Sequence, residues 1–133
     1  MPNVIELTGA FNNIVAGNPL VFPNVLTCMA FIAYDGATLI GVHFTQMDQS
    51  AARVSGAWLR VQAISAGPHA VHVIGPNWNA NLLANLNPQP VSFDGRHVPP
   101  GSDVQASLAV GVITFTYRAH GGVGPWLPIP PLP

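Results

Sequence analysis

The chain holds one cysteine, Cys28, and fifteen positions later a histidine, His43, each inside a run of residues that favour strands. A thiol and an imidazole at that separation meet if the two runs pair as a hairpin. Val25 to Tyr34 is a continuous apolar run, too short for a comfortable helix and ended by Asp35-Gly36, and Thr38 to Thr45 resumes in β-prone residues. A tight turn at Asp35-Gly36 sets residues whose numbers sum to about 71 opposite each other, and Cys28 and His43 sum to 71. Cross-strand Cβ atoms lie roughly 4.5–5.5 Å apart, within reach of proton transfer from thiol to ring. Such a thiol becomes a nucleophile, and an imidazolium beside it is expected to hold its pKa below the free value of about 8.5. The other reading of the same two residues is packing, with Cys28 a small buried hydrophobe and His43 a satisfied core residue.

The elements around the pair follow from periodicity. Val4 to Phe22 suggests short edge strands and turns, broken at Asn12-Asn13 and Gly17-Asn18-Pro19. Val54, Ala57, Trp58, Val61 and Ile64 recur at helical spacing, with Asp48 or Ser50 as N-cap and Gly67-Pro68 as the stop. Ala70 to Ile74 reads as a buried strand. Gly75-Pro76 then opens a second, Asn-rich helical stretch in which Trp78, Leu82 and Leu86 share a face, ended by Pro88 and Pro90. Val91 to Phe93 forms a short strand, Asp94 to Gly101 a loop, and Val104 to Val110 with Val112 to Arg118 a closing hairpin near Gly111. The expected fold is a single α+β domain over residues 1–120, a mixed sheet carrying one longer and one short helix. The proline-rich segment 121–133 is expected to run as an extended, polyproline-like tail, a capping or inter-subunit arm anchored by Trp126.

The stretch Leu26-Thr27-Cys28-Met29-Ala30-Phe31-Ile32-Ala33-Tyr34-Asp35-Gly36, followed by Gly41-Val42-His43-Phe44-Thr45, resembles the motif of the chemoreceptor glutamine deamidases (the CheD family) and of cytotoxic necrotizing factor catalytic domains. In those families a cysteine on one strand is followed about fifteen residues later by a histidine on the next. The resemblance covers roughly Leu20 to Arg118 as topology and two residues. Chemoreceptor enzymes carry a threonine six residues before the cysteine, where this chain has Phe22, and Gly-Ser before it, where this chain has Leu26-Thr27. Necrotizing-factor domains use a backbone carbonyl as their third element instead. The resemblance implies a bacterial hydrolase that deamidates a protein glutamine and needs no cofactor. Cys28 would attack the amide carbon, His43 would shuttle the proton, and Thr27 or Thr45 would orient the imidazole. Backbone N–H groups near Cys28 would hold the oxyanion.

Composition bounds the alternatives. Charged residues make up 7% of the 133, and ten Asn with five Gln solvate the surface without charging it. With a formal net charge of −1, little electrostatic repulsion opposes association, so a homo-oligomer is expected, and the same features support a non-enzymatic binding or assembly module as the alternative function. The four cations are scattered arginines, which form no stripe for phosphates, so nucleic acid is not an expected partner. No apolar run approaches the ~20 residues that span a bilayer, so no membrane partner is expected either. The opening residues lack the regions of a secretory signal, which points to cytoplasmic residence or export by a signal-less route. His69 and His72 face opposite sides of a strand, which leaves Cys28, His43 and His72 as the metal-binding alternative. His97 and His120 read as surface residues.

Overall fold

Residues 3–6, 11–122 and 124–130 are described by the computed structural model. In chain order they form β1 (Val15–Ala16), β2 (Leu20–Val25), β3 (Met29–Tyr34), β4 (Leu39–Phe44), α1 (Ala51–Ile64), β5 (Ala70–Ile74), a 3-10 turn (Ala80–Leu83), β6 (Ser92–Arg96), β7 (Ser102–Ala109), β8 (Val112–Ala119) and β9 (Leu127–Pro128). A mixed sheet has the order β1-β4-β3-β5-β6, with β5 and β6 parallel, and an antiparallel sheet has the order β2-β7-β8-β9. This is the α+β class the periodicity predicts. Among the described residues no helix is long and apolar enough to cross a membrane.

The mixed sheet is covered on both faces, and that explains its apolar runs. Met29 and Phe31 of β3, with Val42 and Phe44 of β4, pack against Trp58 and Val61 of α1. Ala30 and Ile32, on the other face of β3, meet Phe22 and Val104 of the second sheet. Ser50 caps α1 by accepting from the Arg53 N–H, as a residue of that type does just before a helix. Gly41 lets the sheets approach, since a Cβ there would lie 2.8 Å from Phe22 and 3.0 Å from both Leu20 and Val4.

The structure corrects the hairpin register. β3 and β4 pair so that opposing numbers sum to 73: Met29 faces Phe44, and His43 faces Ala30. The connection is a four-residue loop, because the Asp35 carboxylate accepts from the N–H groups of Ala37 (2.9 Å) and Thr38 (2.7 Å) and draws both into the turn. Cys28 therefore sits just before β3 and not opposite His43. A shift of two leaves side-chain parity intact, so Cys28 and His43 keep the same face.

The apolar run is also broken rather than continuous. Val25 closes β2 in the antiparallel sheet, where its carbonyl accepts from Gly101, and Leu26-Thr27-Cys28 carries the chain across to the mixed sheet. The second predicted helix is a single 3-10 turn, since Asn79 bonds the N–H of Asn81 and prolines at 76, 88 and 90 leave no room to propagate. Leu83 and Leu86 point into the core there, with Trp78 and Leu82 only partly buried against them. Asp94, Gly95 and Arg96 belong to β6 rather than to a loop, because β6 runs parallel to β5 from Ser92 to Arg96. Packing also continues past residue 120. Leu127–Pro128 pairs with β8, Ile129 is buried and donates to the Phe115 carbonyl, and Arg118 lies 4.3 Å over the Trp126 ring. Pro131, Leu132 and Pro133 of the polyproline string lie outside the described residues, as do residues 7–10 of the N-terminal segment.

The β7–β8 turn holds an anomaly. Val110 and Gly111 both have positive φ, +52° and +74°, the pattern of a two-residue primed turn, and Val110 is fully exposed. A β-branched residue there costs roughly 1–2 kcal/mol that Asn does not. Val110→Asn is expected to stabilise the protein by about 1 kcal/mol in urea denaturation. An unchanged or lower midpoint would contradict the turn.

Candidate functional site

Cys28 is fixed from three sides. The Gln49 side chain donates to the Thr27 carbonyl at 3.1 Å, and the Cys28 carbonyl abuts Gly75, where a Cβ would come within 2.6 Å of it. On the other side Asn24, at φ +52°, donates its N–H to Asp103 at 2.8 Å and ties the end of β2 to β7. The crossing between sheets is thus pinned, and it delivers a 5% exposed thiol to the space between them.

His43 projects from β4 toward the same space, edge-on to Phe22 at 6.1 Å. The residues that complete the site come from the N-terminal segment. Asn3 bridges Val21 of β2 and Glu6 bridges His43 of β4, so residues 3–6 link the outer strand of one sheet to the other sheet. The Val4 N–H donates to Val21 at 2.7 Å, and the Val4 carbonyl meets His43 Nδ1 at 2.9 Å. A carbonyl only accepts, so Nδ1 carries the proton and Nε2 of the neutral ring is a bare lone pair. That Nε2 is buried with no hydrogen-bond partner among the described residues. Glu6 lies nearer the surface, and its carboxylate accepts from the Cys28 thiol at 3.8 Å. One donor atom from each of Glu6, Cys28 and His43 lies within 4.8 Å of the others. A cleft of about 460 Å³, bordered by Ile5, Glu6, Pro23, Asn24 and His43, opens beside them.

Both members of the pair are held uncharged. Burial, and then the nearby Glu6 carboxylate, push the Cys28 thiol above its ordinary value, against smaller lowering by the backbone at Thr27 and Leu26. Burial pulls His43 below the usual imidazole value, with the Val4 carbonyl and Glu6 opposing it only in part. The expected thiolate–imidazolium pair is therefore replaced by a neutral thiol beside a neutral base, because burial disfavours charge on both groups and the carboxylate beside the thiol is negative.

The predicted helpers lie elsewhere. Thr27 is exposed, and the Thr45 hydroxyl bonds Asp48 at 3.0 Å in the turn that leads into α1. Neither is a hydrogen-bond partner of His43 among the described bonds; the Val4 carbonyl is. His72, the third residue of the metal alternative, instead bonds Asp94 at 3.4 Å and packs on Phe115, and Glu6 takes its place beside Cys28 and His43. His69 is buried under Trp58, while His97 and His120 are exposed as expected. Sequence reasoning missed Val4 and Glu6. A backbone carbonyl leaves no mark in residue type, but Val4 and Glu6 share one side of an extended segment, and Glu6 is one of only five acids. No protein-family model matches the chain, and no curated protein matches it with significance.

Proposed function

We propose that this chain is a thiol amidohydrolase of the protein-glutamine deamidase kind, with Cys28 as nucleophile, His43 as general base and acid, and the Val4 carbonyl as the element that sets the ring. The supporting observation is the Val4–His43 bond, which fixes the proton on Nδ1 and leaves Nε2 without a partner among the described residues, in a ring with one nitrogen within 4.8 Å of the lone thiol. A backbone carbonyl in that role is what the likeness to necrotizing-factor domains implies.

In the reaction, the thiol turns from Glu6 to Nε2 and passes its proton there as sulfur attacks the amide carbon of a glutamine side chain in the cleft. The imidazolium formed returns that proton to the departing nitrogen. Ammonia leaves and a thioester remains. Water, deprotonated by Nε2, then attacks the thioester, and the cysteine leaves with the proton, giving glutamate and free enzyme. Because both groups start neutral, the base acts during the attack rather than before it.

The test is conversion of glutamine to glutamate in a mixture of glutamine-bearing proteins, read by mass spectrometry and by ammonia release. Cys28→Ser and His43→Ala should each lower the rate by about 10³-fold or more, the size of a lost nucleophile or base. A folded Cys28→Ser variant with the wild-type rate, or a wild-type protein that converts nothing, overturns the reading.

A further inference from the structure

We infer that Glu6, Cys28 and His43 form a binding site for a single zinc ion. The donor set is carboxylate oxygen, thiol sulfur and imidazole nitrogen, which suits a borderline-soft cation and not magnesium or calcium. Three protein donors leave one position of a tetrahedron for water. With Zn–S near 2.3 Å and Zn–N or Zn–O near 2.0–2.1 Å, the donors of a tetrahedral site stand about 3.5 Å apart. The Cys28–Glu6 separation is already 3.8 Å, and the full set lies within 4.8 Å, so the donors need to close by little more than 1 Å. Glu6 is exposed, so rotation of its side chain brings the carboxylate toward the other two donors, and rotation of the Cys28 thiol closes the rest.

A second observation points to the same ligand. The His43 ring is 1% exposed, its Nε2 has no partner among the described residues, and its Nδ1–H is held by the Val4 carbonyl. A metal-ligating histidine is arranged in this way, with one nitrogen on the ion and the other donating to a carbonyl that fixes tautomer and tilt. The cleft beside Glu6 and His43 provides the entry. Binding replaces the Cys28 S–H bond with a sulfur–zinc bond and releases that proton to solvent. Thiolate and carboxylate together cancel the two positive charges, so the occupied site is neutral where a net charge would be costly. Zinc would also hold the sulfur away from substrate; that inhibition rests on the amidohydrolase reading, whereas the binding does not.

Chelator-treated protein is titrated with cobalt(II). The expected result is a one-to-one complex with a thiolate-to-cobalt charge-transfer band in the near ultraviolet and the strong visible absorption of four-coordinate cobalt, both bleached by zinc and untouched by magnesium. Cys28 is the only cysteine, so the charge-transfer band reports this site alone. Cys28→Ser removes the band, and Glu6→Gln and His43→Gln each weaken binding at least about tenfold. Absence of the band in wild type overturns the site, as does a band whose affinity is unchanged in Glu6→Gln, which would mark a thiol adduct only. Glu6 is exposed, so that variant decides the matter even where His43→Gln does not fold. If zinc loading stops glutamate formation and a chelator restores it, both readings stand. If zinc binds as described and no form of the protein makes glutamate, the site stands and the amidohydrolase falls.

Discussion

With a chelator present to exclude metal, iodoacetamide will modify Cys28 slowly at pH 7, and the rate will climb only in the alkaline range. Burial is the first cause of the raised thiol pKa, and the Glu6 carboxylate is the second. Glu6→Gln removes a negative charge from beside the sulfur while keeping a hydrogen-bond acceptor there. Its sign is fixed, since losing an anion favours thiolate and moves the pH midpoint down. Its size follows from the setting. Unit charges about 4 Å apart are worth roughly 1 kcal/mol in water and about 4 kcal/mol at an effective dielectric near 20, and exposed Glu6 lies toward the watery limit. The neutral-pH rate should therefore rise about three- to tenfold.

His43→Ala separates two mechanisms in the same assay. An imidazolium that stabilised a resting thiolate would, on removal, push the midpoint up by about one unit or more. A neutral imidazole that acts only as a base leaves it in place, or lowers it as water enters the space. The geometry calls for the second outcome, because burial holds the ring uncharged and its free nitrogen is a lone pair. An upward shift in His43→Ala, with wild type reacting fast at pH 7, would restore the ion pair and refute the neutral site.

The face shared by Cys28 and His43 was legible in the sequence because parity survives a register slip of two. The register itself was not, since it depends on Asp35 gathering two N–H groups and lengthening the loop, a matter of hydrogen-bond geometry rather than residue class. α1 was legible because a 14-residue amphipathic pattern carries its own signal, and of its two candidate caps, Asp48 and Ser50, the structure uses Ser50. The stretch from Trp78 to Leu86 misled, as Trp78, Leu82 and Leu86, set between prolines, fit a helical period without the length to sustain one. The strand exchange at Leu26-Thr27-Cys28 was hidden inside an apolar run that reads the same whether it spans one sheet or crosses between two. Val4 escaped entirely, since its contribution is a backbone oxygen supplied across 39 positions of sequence.

Gly41 carries the largest structural prediction. In an ordinary strand, replacing glycine by alanine gains roughly 0.5–1 kcal/mol by reducing backbone entropy loss. Here the new Cβ would stand 2.8 Å from Phe22 and 3.0 Å from Leu20 and Val4, all of them fully buried. Overpacking of that kind costs about 1–3 kcal/mol and outweighs the gain, and Gly41→Val, with two further methyl groups, costs more. Phe22→Leu removes the nearest ring atom, so the penalty of Gly41→Ala should shrink by at least about 0.5 kcal/mol in that background, a coupling that a double-mutant cycle in urea resolves. The displacement also reaches the site, because Val4 is one of the three residues struck and its carbonyl holds the His43 ring. A proton-exchange-protected imidazole Nδ1–H resonance, expected in wild type, should therefore weaken in Gly41→Val in step with the loss of stability. If Gly41→Ala lies within about 0.5 kcal/mol of wild type and shows no coupling to Phe22, the two sheets are not packed as closely as described, and the carbonyl that orients His43 loses its anchor.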